Sequence, residues 1–162
     1  MRGAFPSTAL RDRASSRAAA SRRREPATSF PRWAIRVYEP STRPGSPMPH
    51  AWLDTFEGER LAAMDLVAPG RFLLVSGEDG QDWVEAAREL CGRGSARVDA
   101  VRIGHTDGDD LDPRLTWTRL RGHGPGGAVL IRPDRFVAWR HREAAADPAQ
   151  ELASAFHAVL GR

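Results

Sequence analysis

The sequence predicts an α/β domain in which helices flank a mixed central sheet, and three observations lead to this prediction. Two strand-like runs, RFLLVSG at residues 71–77 and ARVDAVRIG at residues 96–104, enclose a segment with helical periodicity. Two further strand-like runs, GAVLIRP and FVAWR, follow with only a few residues between them. A strongly capped helix comes last. The predicted order is therefore βαβ, then a hairpin, then a helix.

The βαβ unit begins with residues 71–77, whose continuous apolar run suits a strand that is covered on both faces. In the next segment, QDWVEAARELCGRG, apolar side chains recur at helical spacing: Trp83, Ala87, Leu90 and Cys91. Gly92 is predicted to be the left-handed C-terminal cap of this helix. The second strand is marked by Val98, Val101 and Ile103. We expect the acidic stretch HTDGDDLDP, residues 105–113, to run over the surface.

The second half of the domain is predicted to be a hairpin and a terminal helix. Only Pro133, Asp134 and Arg135 separate the two strands, which is too short for a parallel crossover. The helix has Asp147 as N-cap and Pro148 at its first position, and Gln150 completes a capping box. Its apolar face is followed by Gly161 and contains Leu152, Phe156, Val159 and Leu160. This element order is that of the thioredoxin fold.

Charge and composition divide the chain into three parts. Residues 1–33 hold 8 Arg against 2 acidic residues, a balance of +6, and contain few large apolar side chains. We therefore predict a disordered Arg-rich tail over residues 1–33, a Pro-rich connector over residues 34–50 and the thioredoxin-like domain over residues 51–162. The tail could grip phosphates, but a solvated tail is the favoured interpretation, so we expect no nucleic-acid partner. All 24 basic residues are Arg, which suggests a GC-rich bacterial genome.

Length and hydropathy exclude several classes of protein. At 162 residues, one domain with extensions is expected, and a two-domain cofactor enzyme is not. No run approaches the roughly 18 consecutive apolar residues of a membrane helix. Residues 26–44 supply no apolar core for an export signal. We expect a soluble protein that stays in the cytoplasm and has no membrane partner.

Thiol chemistry is the first activity that a thioredoxin-like fold suggests. The reactive Cys of such a fold belongs at the N-terminus of the helix after the first long strand, where the helix dipole favours a thiolate. That place reads SGEDGQDW and contains no Cys. The single Cys91 lies at the opposite end of the helix on its apolar side, so core packing is favoured. A stand-alone thioredoxin-like or peroxiredoxin-like redox protein that uses Cys91 remains the alternative.

Three further features, namely a glycine-rich segment, an acidic stretch and the Trp residues, are better explained by structure than by nucleotide, metal or nucleic-acid binding. GHGPGG at residues 122–127 matches G-x-G-x-x-G but precedes a strand, so a flexible loop is favoured over a nucleotide site. The acidic residues 105–112 lack the closing Glu of a calcium loop, and the His residues show no zinc spacing. The sequence therefore predicts no metal site. Core packing is predicted for Trp52, Trp83, Trp117 and Trp139.

Several segments in order resemble one known family. YEPSTRPGSPMPHAWL, RFLLVSG, the DW and AA of the first helix, VRIG and GAVLIRPDRFVAWR resemble the C-terminal domain of FAD-dependent aromatic-ring hydroxylases, the phenol and polyketide hydroxylases. The resemblance covers roughly residues 37–162 and includes the connector wording Thr42-Arg43-Pro44-Gly45 with Pro49-His50. It implies a thioredoxin-like domain without redox thiols, which follows a larger part that binds FAD and substrate. One departure is Arg135, where the family often has Gly.

The resemblance implies a function for the parent enzyme and a smaller role for this chain. The parent activity would be NAD(P)H- and FAD-dependent hydroxylation of an aromatic compound, but the FAD fingerprint is missing and Gly108-Asp109 lies in a surface loop. We therefore expect a separated, non-catalytic domain that binds no cofactor itself. Its expected partner is a separately encoded flavoprotein body or its own copy. The candidate docking residues are Arg43, Pro44, His50 and Trp52. Alternatively, Pro49 and Trp52 only seal the start of the first strand.

Overall fold

A seven-stranded mixed sheet organises the chain, and the computed structural model describes residues 39–94 and 97–161. The predicted tail and the first part of the predicted connector lie outside these ranges. The strands run in the order β2-β1-β5-β4-β3-β6-β7. Their bounds are β1 Trp52–Asp54, β2 Arg60–Ala62, β3 Phe72–Ser76, β4 Val98–Gly104, β5 Asp110–Leu111, β6 Ala128–Ile131 and β7 Val137–His141. The helices are α1 Gln81–Gly92, α2 Thr116–Leu120 and α3 Pro148–Leu160, with a 3-10 helix at Ala63–Leu66.

The predicted βαβ unit and hairpin are both confirmed. Strands β3 and β4 pair in parallel across α1, and β6 pairs antiparallel with both β3 and β7. The sheet is therefore mixed, as the thioredoxin-like order requires. The left-handed cap of α1 was predicted at the wrong residue. Gly92 is still helical, and the left-handed residue is Gly94 with φ 71°, whose N–H donates to the carbonyl of Cys91 at 3.0 Å.

The ends of α3 match their sequence signals. The Asp147 carboxylate accepts a hydrogen bond from the Gln150 backbone N–H at 3.0 Å, and Pro148 occupies the first helical position. At the other end, Gly161 is left-handed with φ 66° and its N–H donates to the carbonyl of His157. These local contacts stabilise the helix ends, whereas Leu152 and Phe156 fasten the helix to the sheet.

Two apolar clusters lie on opposite faces of the sheet, which gives a three-layer domain. One face packs on α1 and α3 through Trp83, Ala87, Leu152 and Phe156. The other face is covered by elements that the sequence did not predict, namely the 3-10 helix, α2 and the chain before β1, which contribute Ala63, Trp117, Met48 and Ala51. The β1–β2 hairpin extends the sheet at one edge.

The chain before β1 packs against the opposite edge of the sheet. The backbone N–H groups of Gly45 and Met48 each donate at 2.8 Å, to the carbonyls of Val137 and Arg135 respectively. Pro47 forms an isolated bridge with Phe136. Thr42, Met48, Pro49 and Ala51 are buried. Residues 42–51 therefore cross from β7 to β1 over one face of the sheet.

Two expectations about exposure were wrong. The acidic stretch 105–113 does not lie wholly on the surface, because Asp110 begins β5 and Asp112 is fully buried. Trp83 and Trp117 are core residues as expected, but Trp52 is 48% exposed. Trp52 lies beside Leu53, whose side chain is fully buried, and successive side chains of a strand point to opposite faces. No helix of the described ranges has the length and apolarity needed to span a membrane.

The backbone of the β6–β7 turn is strained at Arg135, and this strain can be tested. Arg135 has φ 66°, so the residue that departs from Gly occupies the left-handed region. We expect Arg135→Gly to raise the free energy of unfolding by about 0.5 to 1 kcal/mol in urea denaturation. Arg60→Gly, in strand β2, is the matched control and should lower it. An equal loss in both variants would contradict the strain.

Candidate functional site

The N-terminus of α1 is the place where a thioredoxin fold would carry its reactive thiol. Here β3 ends at buried Ser76 and Gly80 is the N-cap of the helix. The segment from residue 76 to residue 80 reads SGEDG and contains no Cys. The backbone is tightly packed, because a Cβ at Gly77 would lie 2.3 Å from the carbonyl oxygen of Pro125. A Cβ at Gly80 would lie 2.4 Å from the side-chain Cβ of Ser76. The position is filled by protein, and thiol chemistry is absent from it.

An ion pair that joins distant parts of the chain lies beside this position. Arg121 is 3% exposed, and its Nη1 is 2.8 Å from Glu78 Oε2. Its Nε donates to the carbonyl of His123 at 3.1 Å. Burial acts to raise the pKa of Glu78. The hydrogen bond from Arg121 and the charge of Arg121 act in the opposite direction, and the net effect is a lowered pKa. The Glu78 carboxylate is therefore ionised at neutral pH.

His123 is the second buried titratable group of this site. Its Nδ1 lies 2.9 Å from the carbonyl oxygen of Gly124. Burial lowers its pKa to about 4, because the charged ring would lose its solvation, and the charges of Arg121 and Arg140 act in the same direction. The ring is therefore neutral at pH 7. Sequence reasoning missed this role because it tested the histidines only for zinc spacing.

The chain before β1 is tied into the same network. The hydroxyl of Thr42, which is fully buried, donates to the carbonyl of Arg121. It also accepts a hydrogen bond from Arg140 Nη1 at 3.1 Å. One short polar side chain thus links the start of the described chain to α2 and to β7.

The structure separates the four predicted docking residues into two pairs. Arg43 and Pro44 are exposed beside β7, next to the Gly45 backbone that bonds to that strand. His50 and Trp52 lie at β1, and four strands separate β1 from β7 in the sheet order. The ring centroids of His50 and Trp52 are 5.1 Å apart in an edge-to-face contact. The chain therefore offers two separate exposed surfaces.

Cys91 lies at the C-terminal end of α1 on its apolar side, as the sequence predicted. It is half-buried in the last turn of α1 and contacts the cluster between the helices and the sheet. Beside it, Arg71 donates to both oxygens of the Asp99 carboxylate at 2.7 Å. Nothing at the helix N-terminus faces this thiol. The arrangement is that of a small apolar residue at a helix end.

Asp112 explains the buried end of the acidic stretch. Its carboxylate accepts hydrogen bonds from the backbone N–H groups of Thr116 and Thr118 at 2.9 and 2.8 Å. It also accepts one from the Thr118 hydroxyl at 2.9 Å. Asp112 therefore satisfies two of the first N–H groups of α2. Within residues 39–94 and 97–161, no group of three or more acidic, His or Cys side chains could hold a metal ion.

The GHGPGG loop does not fit a flavin or a nucleotide. Its glycines lie close to other protein atoms, and a Cβ at Gly127 would lie 2.5 Å from the carbonyl oxygen of Arg142. The Gly126 carbonyl accepts a hydrogen bond from Trp83 Nε1 at 2.9 Å. The loop is packed and is followed by strand β6, so it lacks the strand–loop–helix context of a dinucleotide fingerprint.

Comparison with known proteins identifies the family. A family profile described as aromatic-ring hydroxylase, C-terminal, matches residues 41–162. The chain belongs to this family. It is 43% identical over 123 residues to aklavinone 12-hydroxylase RdmE from Streptomyces purpurascens, an alignment that covers 76% of this chain and 22% of RdmE. This aromatic-ring hydroxylase C-terminal domain thus spans about one fifth of the length of the curated relatives it matches.

Solved structures agree with the family and the fold. The crystal structure of aklavinone-11 hydroxylase in a ternary complex with FAD and aklavinone matches with a TM-score of 0.69 and 41% identity, over 76% of this chain and 22% of that protein. A thioredoxin-like protein from Porphyromonas gingivalis matches with a TM-score of 0.58 at 11% identity, over 74% of this chain and 95% of that protein. The second likeness concerns the fold alone. The resemblance stated from the sequence and the thioredoxin-like fold class are both confirmed.

Proposed function

We propose that this domain is a non-catalytic docking module of an FAD-dependent aromatic-ring hydroxylase. The observation that carries the proposal is the filled position at the N-terminus of α1, where Gly80 and the Glu78–Arg121 pair stand in place of a thiol. The packed GHGPGG loop supports it, because its glycines lie against protein atoms. What remains is a stable domain with two exposed surfaces.

The activity that the module serves is the hydroxylation of an aromatic compound with FAD and NAD(P)H. A related hydroxylase binds FAD and the aromatic compound aklavinone, and RdmE is named for hydroxylation of the same compound. In our proposal the flavin and the substrate are held by a flavoprotein body, and this domain packs on that body. A second copy of the domain is the other partner to test, through His50 and Trp52.

Flavin retention tests this proposal. We expect the purified chain to be colourless alone, and to elute as one yellow complex when it is produced together with RdmE that lacks its matching C-terminal segment. The complex should oxidise NAD(P)H faster than shortened RdmE alone. The measurements are flavin absorbance after gel filtration and the rate of NAD(P)H oxidation.

Two controls sharpen the result. Full-length RdmE gives the upper limit for flavin content and rate. Cys91→Ser should behave as the wild-type chain, because the proposed role uses no thiol. Flavin bound by the chain alone, or separate elution of chain and body with no change in rate, would contradict the proposal.

A further inference from the structure

Three arginines lie together where residues 42–44 meet β7. Arg140 lies on β7 and donates from Nη1 to Thr42 Oγ1 at 3.1 Å. Arg43 follows Thr42 directly, and Arg142 is two residues beyond Arg140. Arg43 and Arg142 are exposed, and Arg140 is half-buried. We call these three residues the arginine patch.

The arginine patch forms no ion pair within the described part of the domain. The ion pairs among residues 39–94 and 97–161 involve other arginines, and the nearby Glu78 is paired with Arg121. Burial and then the charges of Arg142 and Arg43 lower the pKa of Arg140, since each disfavours another positive charge there. Like charges held together in this way attract a negatively charged partner.

The central arginine is held in place before any partner binds. Gly122 has φ 61°, and a Cβ there would lie 2.4 Å from Arg140 Nη1 and 3.1 Å from Thr42 Oγ1. The guanidinium therefore rests on a residue that has no side chain. Thr42, in turn, is fastened to the carbonyl of Arg121. A fixed guanidinium loses less conformational entropy when it binds a carboxylate.

The position of the patch indicates its partner. The family profile is that of a C-terminal domain and begins at residue 41, so the larger part of each relative precedes this point. Arg43 is thus at the joint with the flavoprotein body, whereas Trp52 lies near the opposite edge of the sheet. We propose that Arg43, Arg140 and Arg142 dock a carboxylate-bearing face of the flavoprotein body. This inference rests on the proposed function.

A titration with an acidic peptide tests the patch without the body. The full chain, labelled for amide NMR, is titrated with hexaglutamate and, as a neutral control, with hexaglutamine. We expect amide shifts at Thr42, Arg43 and residues 140–142 with hexaglutamate and not with hexaglutamine, and an affinity for hexaglutamate that falls with added salt. Arg43→Gln and Arg142→Gln, both at exposed positions, should each weaken binding roughly three- to five-fold. Arg140→Gln is a further variant for the half-buried position.

The matched controls are Arg88→Gln, at an exposed position of α1, and Arg93→Gln, at the exposed position that follows α1, and both should leave hexaglutamate binding unchanged. Equal weakening by patch and control variants, or the absence of shifts at Thr42, Arg43 and residues 140–142, would overturn the inference.

The same variants, tested with shortened RdmE, separate this inference from the proposed function. If the wild-type chain binds the body, Arg43→Gln and Arg142→Gln should weaken the complex and Arg88→Gln should not. If the patch variants bind the body as tightly as the wild type while Trp52→Ser abolishes binding, the inference is overturned. The proposed docking function would still stand. If the wild-type chain fails to bind the body, the proposed function fails, while the peptide titration still decides whether the patch takes carboxylates.

Discussion

Glu78→Gln is expected to lower the free energy of unfolding by about 3 kcal/mol at pH 7. The substitution leaves the Arg121 guanidinium, whose side chain is 4% exposed, without its carboxylate. An amide oxygen at position 78 can still accept from Arg121 Nη1, and the carbonyls of His123 and Ile103 remain as acceptors, but none of these groups carries a compensating negative charge. A buried charge that has lost its partner costs more than the pair itself contributed. Urea denaturation followed by circular dichroism measures the change.

Two comparisons isolate the burial of this pair. The exposed pair of Arg93 and Glu89 is the matched control, and Glu89→Gln should cost less than about 1 kcal/mol. The double variant Glu78→Gln with Arg121→Met should recover part of the loss, since no unpaired charge is left. A loss as small as that of Glu89→Gln would mean that water reaches Arg121 in the folded domain.

The elements that were predicted correctly are those whose signals are local. The run at 71–77 is apolar on both faces, and Asp147, Pro148 and Gly161 mark the ends of α3 within a few residues of the contacts that they make. Such signals survive in one sequence because they depend on backbone preference and periodicity. The left-handed cap of α1 failed by two residues, at the usual margin for helix ends.

What the sequence could not reveal depends on contacts between distant residues. Strand β5 has two residues, and its identity as a strand comes from pairing with β1 and β4. The polar network joins Thr42 to Arg121, 79 positions away, and to Arg140, 98 positions away. No spacing rule connects a hydroxyl to such partners. The same limit hid the arginine patch, because Arg43 and Arg140 are neighbours only after folding.

The network also explains how a thioredoxin-like domain can lose its thiols and stay folded. In the described chain, Pro125 contacts Gly77, while Glu78 holds Arg121 and Arg121 holds the loop at His123. The strand end, α2 and the loop before β6 are thereby joined at one point. The N-terminus of α1, where a redox protein of this fold would carry its reactive thiol, here holds contacts that join separate elements of the domain.

His123 makes acid stability the second large prediction. The pKa of His123 is about 4 in the folded domain, against 6.5 for an ordinary histidine. As the pH falls through 6.5, His123 takes up a proton in the unfolded chain. In the folded domain the same ring stays neutral until the pH reaches about 4. Stability should therefore be unaffected by this group above pH 7, and should fall by about 3 kcal/mol between pH 6.5 and pH 4. Glu78 stays ionised through most of this range because Arg121 lowers its pKa.

His123→Asn tests this assignment because an amide can still donate to the carbonyl of Gly124 but does not titrate. The variant should lose stability less steeply than the wild type between pH 6.5 and pH 4, with the difference measured by urea denaturation at each pH. His157→Asn, at an exposed position of α3, is the control and should follow the wild-type curve. Parallel curves for His123→Asn and the wild type would mean that the ring takes up its proton while folded. In that case the interior beside Arg121 is open to water, and the ion pair should be as weak as one on the surface.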